Sequence, residues 1–298
     1  MPVIPTLLDG QFWLDGYTFG LPTDPVFTLE SGLDLGSMDV RHQDAPHPSA
    51  DAILFGRDLT TPPVWTFSLG ARPVAGGDVY DVLDGFAAAW SGWAVRSTPG
   101  AVSTLAYRRG GRQRVVYGRP RQWQVETPQV ITHDWRVVTA QFQLSDTRSY
   151  SAVESEAHLG TVHTTTSTGV VFPVVLPVIF GSSPGERAGW VTVTSPVPTP
   201  FTVTITGPST GVASGFRVAS AGWALDLPVQ LPAGSTLTVD TAAGVVAINK
   251  SPISSGVGRA SNLGALLQPG TQEVVFTAND PSATVTATIR WREASTSW

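Results

Sequence analysis

Five residues spell a catalytic motif: Gly181-Ser182-Ser183-Pro184-Gly185 is a literal GxSxG. A serine in that pattern becomes a nucleophile when a strained strand-to-helix turn lifts its hydroxyl above a sheet. Here Pro184 stiffens the turn, and the WVTVT run that follows reads as a strand. No βα alternation surrounds it, so Ser183 is expected to sit in an ordinary surface turn. His42, Asp44 and His47 carry metal-ligating groups, but their spacing matches no recognised site and their segment is polar as solvated loops are. Lys250, the chain's one lysine, follows Asn249 rather than a glycine cradle, so it does not belong to a phosphate loop. Asn249-Lys250-Ser251 fits the glycosylation pattern by its letters only. With no cysteine, disulfides, thiolate nucleophiles and cysteine metal sites are all excluded. The sequence thus offers no catalytic residue, no cofactor-binding residue, no metal ligand set and no cofactor, and the expectation is a protein that is not an enzyme.

Charge is the chemistry that remains. Residues 1–95 hold three Arg against twelve Asp and Glu, a net −9, whereas residues 96–155 hold nine Arg against four acids, a net +5. From Arg96 to Arg121 there are seven Arg and no acid, and six of these lie on or just beyond a stretch centred on Gly110-Gly111. Taken alone, such a stretch is a solvated pair of edge strands, which often carry charge to resist aggregation.

These charges need elements to hold them. Residues 78–93, DVYDVLDGFAAAWSGW, place Val79, Leu83, Phe86, Trp90 and Trp93 at alternating steps of four and three, which predicts one amphipathic helix over 78–93. Asp78, Asp81 and Asp84 suit the positive end of its dipole. The stripe is expected to plug a sheet rather than to form an aromatic ligand box, and nothing else in the chain reads as a helix. Asp15-Gly16 separates two aromatic-rich runs as a two-residue hairpin turn does, and Gly110-Gly111 repeats that signal. Period-2 alternation predicts half-buried strands, with Trp65, Phe67 and Leu69 inward, then Val138, Ala140, Phe142 and Leu144. Residues 33–51 read as a long loop.

The length of 298 residues suggests about two domains. Thirty Gly and twenty-four Pro beside 42% hydrophobic residues describe an ordered, turn-rich β protein. Residues 151–168 turn polar and lose periodicity, which sets the expected boundaries at 1–155, a linker over 156–175, and a second domain over 176–298. In that second domain Phe201, Val203 and Ile205, then Trp223, Leu225 and Leu227, then Val285, Ala287, Ile289 and Trp291 alternate with polar partners, the pattern of an antiparallel sandwich. No Arg or Lys precedes Arg41, so secretory export is not expected. The longest near-apolar run, 170–180, is broken by Pro173 and Pro177 and falls short of the roughly 20 residues that cross a bilayer.

The order of short motifs resembles a known family. ITGP at 205–208, LTVDTAAGVVAIN at 237–249, LQPGTQEVVFTA at 267–278 and ATIRWREA at 287–294 look like the C-terminal domain of siphophage distal tail proteins. The first half is similar in order: an opening hairpin, FGRDL at 55–59, a strand, a lone helix, then an arginine-rich hairpin ending in YGRPR at 117–121. The polar stretch 151–168 has no counterpart. The resemblance implies an all-β fold with one α-helix: an N-terminal β-sandwich-plus-helix ring domain followed by a C-terminal galectin-like antiparallel β-sandwich. It implies a structural virion protein at the tail tip, present in host cytoplasm during assembly, whose hexameric ring joins the tail tube to the baseplate. The partners it implies are further copies of the chain, the tail tube protein, the tail-tip hub, the tape measure and receptor-binding proteins. DNA would pass through the lumen without specific binding, and no membrane insertion is implied. The alternative is a carbohydrate-binding β-sandwich adhesin of the tail tip. Against it, Trp65, Trp90, Trp93, Trp223 and Trp291 fall in phase with core neighbours, leaving Trp190 and Trp298 less committed. If the chain forms a ring, Arg108, Arg109, Arg112 and Arg114 are expected to face acids in the first 95 residues of the neighbouring subunit, because a ring joins unlike faces.

Overall fold

A computed structural model describes residues 4–74, 77–126, 135–163, 189–253, 255–280 and 284–296. The GxSxG motif, the 170–180 run and Trp298 lie outside them. The chain divides into two compact units, residues 1–152 with 296–298, and residues 153–295.

The first unit opens on β1 (Phe12–Leu14) and β2 (Tyr17–Phe19), joined by Asp15 and Gly16 at φ 44° and 114°. Both angles are positive, as the tight hairpin turn requires. β3 (Val26–Asp34) follows, then four two-residue strands: β4 (Val40–Arg41), β5 (Ala45–Pro46), β6 (Ile53–Leu54) and β7 (Leu59–Thr60). After β8 (Val64–Ala71) come α1 (Val79–Trp90) and the single-turn α2 (Trp93–Arg96). β9 (Ser103–Arg109) and the long β10 (Arg112–Val125) make a hairpin, and β11 (Arg136–Leu144) and β12 (Ser149–Ser151) complete the unit.

Its sheet runs β2-β1-β9-β10-β11-β8-β3, and β12 pairs with the first half of β10. The sheet curls on itself, since Thr28 donates its backbone N–H to the Gly20 carbonyl just past β2 at 3.1 Å. Inward residues alternate as the period requires: Trp65, Phe67 and Leu69 on β8 and Val138, Ala140, Phe142 and Leu144 on β11 are all buried. α1 plugs this core with Val79, Val82, Leu83, Phe86 and Trp90. Asp78 caps its start by accepting from the Tyr80 amide at 3.2 Å.

The helix is shorter than the apolar spacing predicts. Gly92 adopts φ 57°, the left-handed conformation that commonly terminates a helix, and the chain restarts as α2 in a new direction. Trp93 therefore leaves the stripe and is 78% exposed.

A second correction concerns residues 33–51. They are not one free loop: although 35–39, 42–44 and 47–51 carry no strand, β4 pairs with β7 and β5 with β6, so residues 37–61 form a two-stranded arm rooted between β3 and β8. All of it but His47 is exposed. With neither face buried in its own chain, the arm had no reason to carry alternation.

The second unit is built of β13 (Ser155–Leu159), β14 (Thr161–His163), β15 (Gly189–Val193), β16 (Phe201–Thr206), β17 (Val212–Ser220), β18 (Trp223–Pro232), β19 (Thr236–Asp240), β20 (Val245–Ile248), β21 (Ser251–Pro252), β22 (Gly270–Asn279) and β23 (Thr286–Trp291). One sheet runs β13-β23-β16-β19-β20-β21; the other runs β14-β22-β17-β18, with β15 also on β22. Val203, Ile205, Leu237 and Ile289 of the first and Phe216, Val218, Leu225 and Phe276 of the second share one core. Residues 155–159, most of them within the expected linker, pair along their whole length with β23. Their sequence SEAHL gives little alternation because only Leu159 is buried. Among the described residues no helix is long and apolar enough to cross a membrane.

Candidate assembly interface

The arginine hairpin is held at its tip by Gly110 and Gly111, at φ 57° and 75°. The register sets Arg109 opposite Arg112, Arg108 opposite Gln113, and Tyr107 opposite Arg114. Since opposite residues share a face and neighbours alternate, Arg109, Arg112 and Arg114 lie on one face and Arg108 on the other. The structure thus brings three of the four expected contact residues together and separates the fourth.

Their surroundings differ as well. Arg109 and Arg112 are exposed, and their side chains make no hydrogen bond or ion pair among the described residues. Arg108 is half-buried and donates to the Leu7 carbonyl at 3.0 Å, and Arg114 donates to Ser149 Oγ at 3.3 Å. Arg119 and Arg96 are tied to backbone carbonyls of Ala101, Thr98 and Arg121 at 2.7–3.1 Å. Of the seven, Arg109, Arg112 and the exposed Arg121 are therefore available to a partner, and the other four are at least partly spent in holding their own chain. Tyr107, beneath this face, is buried, which pushes its hydroxyl up in pKa although the Arg114 and Arg109 guanidiniums pull the other way.

The arm is the feature that sequence reasoning missed. It exposes Val40, Ile53, Leu54 and Phe55, the last at 85% the most exposed large apolar side chain among the described residues. An isolated two-stranded ribbon is marginal in water, so such an arm calls for a surface to lie on. Asp39, Asp44, Asp51 and Asp58 against Arg41 and Arg57 make it acidic. The one available signal was the cluster of apolar residues within a polar, aspartate-rich stretch.

At the arm's root β3 bulges: Thr28 pairs with Leu69 but Leu33 with Phe67, so three extra residues swing out of the ladder. Gly32 permits the bulge, because a Cβ there would meet the Leu29 carbonyl oxygen at 2.4 Å. Beside the bulge opens a cavity of about 370 Å³ lined by Phe12, Leu29, Leu33, Trp65, Arg108 and Arg109 among others.

The other candidates dissolve into ordinary structure. Asp44 accepts from the Gly56 amide at 3.0 Å and His47 Nδ1 from the Ser49 amide at 3.2 Å, both local contacts within the arm. Among the described residues no three His, Cys, Asp or Glu could hold a metal. Asn249 and Lys250, at φ 49° and 68°, are the two turn residues between β20 and β21.

Compared by sequence, the chain matches no family model and no curated protein significantly. Compared by structure, it is similar to the crystal structure of SPP1 Dit (gp 19.1), described as a paradigm of the hub adsorption apparatus in phages infecting Gram-positive bacteria. The TM-score is 0.58 at 11% identity, over 96% of this chain and 98% of that one. It is also similar to a chain of the phage P2 baseplate in its activated conformation with Ca, at TM-score 0.54 and 12% identity over 96% and 98% of the two chains. The same baseplate with Sr gives 0.53 at 12% over 94% and 97%. At that coverage the likeness takes in both compact units, so the chain has the fold of phage hub and baseplate proteins, as its motif order implied.

Proposed function

We propose that this chain is a structural virion protein of a siphophage tail tip, a distal tail protein whose copies close into a ring between the tail tube and the baseplate. The observation that carries the reading is the extent of the likeness, both units in order over 96% of the chain, to a hub protein. The arm and the charge division between residues 1–95 and 96–155 support self-association, because a ring must fit one face of each subunit to a different face of the next. Arg109 and Arg112 are the residues best placed to meet acids of a neighbour. Acids of the first unit left over would line a lumen in which DNA slides without sticking. Tail tube, tail-tip hub, tape measure and receptor-binding proteins are the proposed further partners, and no catalysis is proposed.

The adhesin reading gains little from the second unit. Trp223 and Trp291 are buried, and Trp190 is its one large exposed aromatic side chain among the described residues. Negative-stain imaging of the purified chain, with light scattering over a dilution series, tests the ring. Closed rings that dissociate on dilution or in raised salt are expected; a monomer at every concentration tried would refute it.

A further inference from the structure

We infer that Phe55 of one copy seats in the cavity beside the β3 bulge of the next, so that the arm is the knob and the arginine-rimmed cavity the hole of a head-to-tail contact. The inference rests on the ring reading and deepens it by naming the joint. Phe55 stands 85% exposed next to the β5–β6 rung, at the far part of a paired arm, and so does not fill the cavity of its own chain. Ten residues separate Asp34 from Ala45, a contour of at most roughly 35 Å from the arm's root, where Leu33 and Trp65 line the cavity. An arm that leaves its own hole open and carries an apolar knob generates heterologous contacts when the knob enters the hole of the next copy, the kind that propagate until they close.

Size and chemistry agree. A cavity of about 370 Å³ lies at the small end of the range of ligand clefts and has room for an aromatic side chain. Its floor is apolar, with buried Trp65 and Phe12, and Arg109 lies at its rim, whereas the Arg108 guanidinium is turned to the other face and held by the Leu7 carbonyl. A guanidinium beside an aromatic face is attractive, and more so once desolvated. Around Phe55 lie Asp44, whose carboxylate holds the Gly56 amide, and Asp58. Acids flanking the knob would meet arginines flanking the hole, including exposed Arg112, which fixes register. Glu30 also lines the cavity and disfavours an acidic group inserted there, so the aromatic ring enters and the aspartates stay at the rim.

Because the chain has no cysteine, introduced thiols report a single contact. The double variant Phe55→Cys with Leu29→Cys, oxidised at subunit concentrations well above the raised half-assembly concentration of Phe55→Ala, should give a ladder of covalent oligomers on a denaturing gel. Either single variant has one thiol per chain and can give no more than dimers. Phe55→Ala should raise the half-assembly concentration by roughly 30-fold, as loss of an interface anchor does, and leave thermal unfolding of the subunit unchanged. If the wild type assembles but the double variant yields no ladder, or Phe55→Ala assembles at wild-type concentrations, the joint is wrong and the ring stands. If the wild type never assembles, both fall.

Discussion

Arg112→Glu should move subunit stability and assembly in opposite directions. Arg109 and Arg112 stand directly opposite across the β9–β10 ladder, both exposed. Like charges in that position repel and opposite charges attract, each by roughly 0.2–1 kcal/mol. Water screening keeps both terms near the lower end, so the substitution should stabilise the first unit by about 0.5 kcal/mol. For a unit of this size that raises the melting temperature by roughly 1–2 °C. At an interface with acids of a neighbour the same change replaces an attraction of about 0.2–1 kcal/mol by a comparable repulsion. The loss is then roughly 0.5–2 kcal/mol per contact, a twofold to thirtyfold weakening, and each subunit of a closed ring makes two such contacts. Light scattering over a dilution series in low and high salt reads assembly, and thermal unfolding reads the subunit. The gap between variant and wild type should shrink in high salt, where the Debye length falls to about 3 Å at 1 M. A variant that assembles like the wild type at low salt, or that loses subunit stability, would refute the reasoning.

The remaining predictions concern how the units are built. Trp90 meets the rings of Phe86, Phe67, Phe19 and Phe142 at 5.2–6.3 Å, so Trp90→Ala should cost about 3–5 kcal/mol, whereas Trp93→Ala should stay within about 0.5 kcal/mol; equal losses in denaturant unfolding would contradict a helix that ends at Gly92. A fragment of residues 153–298 should unfold cooperatively and at higher denaturant than one of 176–298, because β13 and buried Leu159 belong to the second core; matching midpoints would make β13 dispensable. Tyr150 has a raised pKa, first because it is buried and then because Asp146, to which its hydroxyl donates, disfavours a second negative charge. Its folded pKa exceeds the unfolded value of about 10, so its contribution is intact below pH ~10 and lost as pH rises beyond it. Stability measured above that pH should fall less steeply in Tyr150→Phe than in the wild type, and an identical slope would place the loss elsewhere.

Of the candidate interface, the half that is a pattern of charge was legible and the half that is a shape was not. Seven arginines without an acid between 96 and 121 can be counted. That Arg108 faces away from Arg109, Arg112 and Arg114 follows only from the β9–β10 register, and that Arg119 is consumed by the Thr98 and Ala101 carbonyls and Arg96 by the Arg121 carbonyl of β10 follows only from how those segments return. The cavity was out of reach for the same reason. Its walls come from four separate stretches, Gly10 and Phe12, Thr28 to Leu35 in part, Trp65, and Tyr107 to Arg109, brought together by a bulge whose one local trace is Gly32.

The sequence by itself determined the elements that bury one face in their own chain. Trp65, Phe67 and Leu69, Val203 and Ile205, or Phe86 and Trp90 announce a period because water leaves one side of the strand or helix and not the other. Asp15-Gly16 and Gly110-Gly111 announce turns because the backbone there needs positive φ. Tertiary structure alone decided whatever lacked such a local cause. The helix stopped at Gly92 and released Trp93 because a single glycine took the left-handed conformation. SEAHL became a strand because β23 offered an unpaired edge. The arm of residues 37–61 stayed silent in the sequence because nothing among the described residues of its own chain covers either face, and periodicity records only the burial that a chain provides for itself.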